Sequence, residues 1–123
     1  MTKANKLQEE TKLETLSDVR FAIREADKLR FRPNVQEVDI ALLENAIHAL
    51  KDVERDLIKV DEEKLINSIK RASESLKEYS SHIRSVINRV NHGTKVLDTI
   101  DGIIKRFNQV LNEINVWSKW TPR

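Results

Sequence analysis

The stretch LINSIKRASESLKEYSSHIRSVINRV, residues 65–90, decides the fold. Its apolar residues Leu65, Ile69, Ala72, Leu76, Tyr79, Ile83, Val86 and Val90 are spaced 4, 3, 4, 3, 4, 3, 4. Steps of three and four return a side chain to the same side of an α-helix, so these residues form one apolar seam. Ile66 and Ile87 widen the seam on one flank. Ser68 and Ser75 lie on the other, small enough to let a neighbouring helix approach. Asp61, followed by Glu62 and Glu63, supplies an N-cap and acids for a first turn whose dipole favours negative charge.

The pattern recurs downstream. Val96, Ile100, Ile103, Phe107, Val110, Ile114 and Trp117 are spaced 4, 3, 4, 3, 4, 3, and Leu97, Ile104 and Leu111 broaden the stripe. A face this wide suits a globular bundle better than a narrow two-stranded coil. Gly102 weakens this helix by about 1 kcal/mol relative to alanine, and Pro122 marks its end. Between the two helices, Asn91-His92-Gly93-Thr94 reads as a tight turn rather than as chemistry. The glycine suits a left-handed C′ position, and the threonine suits the next N-cap. Long helices joined this tightly run antiparallel.

Upstream, Ile40, Leu43, Ile47 and Leu50 begin a stripe that drifts to Val53, Leu57 and Val60, as a straight helix of period 3.6 does. The five-residue step from Val60 to Leu65 breaks the phase and places a short turn at Val60–Asp61. In the first helix, Leu13, Leu16, Val19, Ala22, Ile23, Ala26 and Leu29 share a face, with either Thr11 and Glu14 as a capping box or ANKLQEE, residues 4–10, extending the helix toward the start. Pro33 disfavours helix at Arg32 and ends it. The expected helices are about 11–31, 36–60, 62–91 and 94–120 in a single domain, 1–123. Their apolar faces are hidden most simply in an all-α, antiparallel up-down-up-down four-helix bundle. The alternative is two long hairpins completing a bundle by dimerisation.

The composition agrees. Two glycines and two prolines in 123 residues leave too few turn residues for a sheet protein. Charged residues are 34% of the chain, and there is no cysteine, which excludes disulfides, thiolate nucleophiles and cysteine-based zinc sites. The start, MTKANKLQEETK, has no apolar core of the signal-peptide kind, and no apolar run approaches a membrane span. A cytoplasmic protein without a membrane role is the expectation. Net charge is +2: residues 34–61 carry −4, and the segments 1–33, 62–91 and 92–123 carry +2 each. One acidic helix among three mildly basic ones points to helices complementing each other.

Catalytic and metal-binding patterns were sought on these helices. Glu44–His48 and Glu78–His82 are acid–histidine pairs four apart, whereas di-iron bundles use Glu-x-x-His facing inward. His48 is expected outside, His82 beside the seam, and Glu54 as the one inward acid of the second helix. These pairs read as solvated surface groups, so no metal and no cofactor is implied. Six serines between residues 68 and 85 have no glycine-rich elbow, and no phosphate-cradling glycine loop occurs. No catalytic residue stands out, and the expectation is a non-enzymatic protein.

Two surfaces remain. Arg20, Arg24 and Lys28 form a ladder with i, i+4 spacing that would neutralise phosphates in a nucleic-acid partner. Interspersed acids favour a solvated, ion-paired face instead. Trp120, Phe21 and Phe31 lie at helix edges or ends, and exposed aromatics are the residues that anchor protein interfaces. Trp120 alternatively caps the core. The functional expectation is a helical protein–protein interaction module, such as an adaptor, assembly subunit or small regulator, with a homodimer as one form of partner. A nucleic-acid-associated protein using the basic strip is the alternative.

Overall fold

The structure is a computed structural model that describes residues 9–32, 35–59, 61–87 and 93–120, with side chains as far as Ile114. Four helices follow in order: α1 Glu9–Leu29, α2 Glu37–Lys59, α3 Glu62–Ser85 and α4 Gly93–Trp120. No strand occurs among the described residues. The chain is therefore an all-α four-helix bundle. Each helix packs on two neighbours, α1 on α2 and α4, and α3 on α2 and α4. Among the described residues, the seams of α2, α3 and α4 cover one another within one chain.

The two C-terminal seams are buried as the spacing predicts. Leu65, Ile69, Ala72, Leu76, Tyr79 and Ile83 of α3 face Val96, Ile100, Ile103, Phe107, Val110 and Ile114 of α4 in one core. Leu43, Ile47, Leu50, Val53 and Leu57 bury the α2 stripe. Each fully covered side chain of this size contributes ~1.5–3 kcal/mol. Val86 of the expected α3 seam is only partly covered, just past the end of that helix, and Val90 and Trp117 lie outside the described side chains.

Helix starts and stops explain the boundaries. At α2, Gln36 caps: its carbonyl accepts from Ile40 N–H at 3.0 Å, and its own N–H donates to Asp39 Oδ2 at 2.8 Å. The second bond is the acid's half of a capping box, with an aspartate as the third helical residue. At α3, Asp61 Oδ1 accepts from Lys64 N–H at 3.1 Å, so α2 and α3 are separate helices as expected.

Other expected boundaries are corrected. α1 begins at Glu9, so Thr11 is a buried residue inside the helix and not its cap. It ends at Leu29, where the Phe31 and Arg32 N–H groups donate three residues back, to Lys28 and Leu29. α3 stops at Ser85, six residues short of the expected end, with Val86 N–H donating to Ile83 O at 3.1 Å. Gly93 opens α4 instead of closing α3, and its φ lies outside the left-handed range. The glycine is there for closeness: a Cβ at this position would stand 2.9 Å from Ile87 Cγ1. Thr94 is consequently inside α4 and not its N-cap, while residues 91 and 92 of the quoted turn lie outside the described residues.

The first helix keeps its expected face toward the core, rolled so that Thr11 and Thr15 come in and Leu13 goes out. Thr11, Thr15, Val19 and Ala22 are buried, whereas Leu13 is 55% exposed and Leu16, Ile23, Ala26 and Leu29 are only partly covered. A buried threonine is tolerated because its hydroxyl finds a partner in its own helix. Thr15 Oγ1 donates to the Thr11 carbonyl at 2.6 Å.

Candidate functional site

α1 presents small side chains where it meets α4. Ala22 and Ala26 on α1, together with Ala46 on α2, leave a cavity of about 170 Å³ that opens between α1 and α4. Leu43 and Leu50 of α2, Leu76 of α3 and Ile100 and Ile103 of α4 form its apolar walls, so it touches all four helices. Its polar contributors are few: Tyr79 and Thr99, and the mouth residues Glu25, Arg32 and Lys95. Burial, followed by the charge of Asp39, pushes the Tyr79 phenol up to about 12, so it is neutral at ordinary pH. Farther along, Arg106 of α4 bridges the same two helices, with Nε 2.8 Å from Asp18 and Nη1 3.5 Å from Glu14.

The opposite interface, between α2 and α3, holds two buried carboxylates. Asp39 is 3% and Asp56 is 1% exposed. His82 Nε2 donates to Asp39, which also caps α2. Ser68 Oγ donates to Asp56, and Arg55 Nε reaches the same carboxylate at 3.1 Å. Burial pushes the Asp56 carboxyl up. Hydrogen bonds from Arg55 and Ser68 and the charges of Arg55 and Lys64 outweigh it, holding the group below the usual carboxylate range. These links also set direction. Position 39 faces 82 and position 56 faces 68, so α2 and α3 run antiparallel. Arg30–Glu44 and Arg20–Glu54 do the same for α1 and α2.

The expected inward acid is thereby corrected. Glu54 faces α1 and pairs with Arg20 Nε at 2.7 Å, while Asp39 and Asp56 are the acids that point into the bundle. His82 is corrected too: it is a largely covered partner of Asp39, not half of a solvated pair with Glu78. A signal for this was in the sequence. Folding the chain about Val60–Asp61 sets position 39 opposite position 82, and an acid needs a donor once buried.

The other singled-out residues do not converge. Phe21 is 47% exposed at the edge of the α1/α4 cavity. Phe31 is 79% exposed beyond the end of α1, with the Arg30 guanidinium 5.5 Å from its ring centre. The Trp120 side chain lies outside the described residues. Of the basic strip, Arg20 pairs with Glu54 and Lys28 with Glu25 at 3.3 Å, while Arg24 lines a shallow α1/α2 cleft with His48 and Lys51. Among the described residues, no group of three or more histidines or acids gathers as a metal site. No helix among them is long and apolar enough to cross a membrane. Comparison with protein-family models, with curated proteins and with solved structures yields no match.

Proposed function

We propose that the chain is a non-enzymatic helical interaction module, an adaptor, assembly subunit or small regulator, whose partner is another protein. The observation that carries this reading is the pair Phe21 and Phe31, left in solvent on α1 and just beyond its end while most described seam positions of α2, α3 and α4 are covered within the chain. Covering a phenylalanine that the fold leaves wet stabilises a complex without disturbing the core. The nucleic-acid alternative has less support, because Arg20 and Lys28 already face carboxylates of the same chain.

The test is affinity capture with the wild type and with a Phe21→Ser/Phe31→Ser double variant, after circular dichroism establishes equal helicity. Loss of the captured protein in the variant is expected. Unchanged capture would show that these rings are not the contact. A generic DNA or RNA mobility shift that weakens with salt would transfer support to the alternative reading.

A further inference from the structure

The α1/α4 cavity has the shape of a site for a small molecule rather than for a helix. A docking helix needs an extended groove with anchor positions at i, i+4 and i+7. This opening follows α1 from Phe21 to Arg32 and reaches Leu76 and Tyr79 of α3, but its volume is too small to take the side chains of such a helix. Its size, about 170 Å³, is close to the ~150 Å³ of an apolar cavity that stays dry and takes up benzene. It therefore has room for one ring or a chain of about six carbons. Thr99, one of its few hydroxyls, donates to the Lys95 carbonyl at 3.1 Å, so its proton is not offered to a ligand.

The mouth carries the second observation. Arg32 and Lys95 are exposed there, and neither forms an ion pair with an acid among the described residues. Glu25, the acid of the same mouth, is drawn to Lys28. An apolar hole beneath two cations that pair with no acid among the described residues is complementary to a small organic anion. We propose that this cavity binds a small amphipathic carboxylate, its apolar body among Ala22, Ala46 and Ile103 and its carboxylate at the Arg32 and Lys95 mouth. The proposal does not depend on the protein-partner reading.

The test titrates hexanoate, and separately 1-hexanol, into the full chain, following the methyl resonances of Ala22, Ala46 and Ile103 by NMR. Hexanoate is expected to shift these methyls. An Arg32→Gln/Lys95→Gln variant, altered only at exposed positions, is expected to weaken hexanoate about fivefold or more while leaving hexanol unchanged. Ala26→Leu, which fills the cavity, is expected to abolish both without lowering the melting temperature. Silent methyls would overturn the proposal. So would equal hexanoate binding in the double variant, or hexanol bound by the wild type as tightly as hexanoate.

Discussion

α2 against α3 and α1 against α4 are both helix pairs in one bundle, and they are closed by opposite means. The α2/α3 interface buries two carboxylates, each met by a donor from α3: His82 at one end and Ser68 at the other. The α1/α4 interface keeps its charges at the surface, where Arg106 reaches Asp18 and Glu14, and is thin in the middle, where alanines leave a cavity. Buried polar pairs fix a register, because a slipped helix would strand a charge away from water. Surface pairs and small apolar residues tolerate adjustment. The first interface has the build of a scaffold, and the second is where the bundle has room for something else.

Removing a partner on the tight side is expected to have the largest effect. His82→Ala leaves Asp39 buried with one donor fewer, and should cost ~2–3 kcal/mol in a urea unfolding curve. A loss below ~1 kcal/mol would put this pair on the same footing as a surface contact. Next comes acid. The folded-state pKa of Asp56 is lowered, so its contribution is present above the unfolded value and is lost as pH falls through the folded value. Stability should drop as pH is lowered below about 4, and Asp56→Asn should flatten that part of the wild-type pH profile. An unchanged acid limb would mean that the carboxylate is not held by its donors.

Changes on the loose side should be smaller. Gly102 sits on the exposed face of α4 with open space around the position of a Cβ. Gly102→Ala should therefore stabilise by ~0.5–1 kcal/mol, visible as a higher melting temperature. Arg106→Ala should cost least, ~0.5 kcal/mol, because Asp18 and Glu14 are 41% and 53% exposed and water screens the pair. If Arg106→Ala proved as costly as His82→Ala, the distinction between the two interfaces would fail.

The sequence was most legible where its repeat was strict. The described α3 and α4 seam positions are buried from Leu65 to Ile83 and from Val96 to Ile114, because steps of three and four leave one face available. It was least legible in α1, where leucines and threonines compete for the interior. Hydropathy favours Leu13, yet Thr15 is buried and Leu13 is wet. The threonine hydroxyl is satisfied by the carbonyl of Thr11, which removes the cost that a hydropathy reading assigns to it. Gly93 was misread for a similar reason. A glycine beside a helix end usually marks a left-handed turn, but here the closeness of Ile87 is what requires it. Phe21 was recognised as off the main stripe, but the cavity beside it depends on alanines drawn from two helices.

By itself, the order of residues determined the helical class, the number of helices, the break between α2 and α3 and most of the face that each helix buries. These follow from local periodicity and capping, which need no knowledge of neighbours. Only the packed bundle decided that α1 rolls Thr11 and Thr15 inward and leaves Leu13 out, that Asp39 meets His82 and Asp56 meets Ser68, and that Ala22, Ala26 and Ala46 surround one cavity. Those outcomes depend on which helix lies beside which and at what height, and side chains far apart along the chain set both.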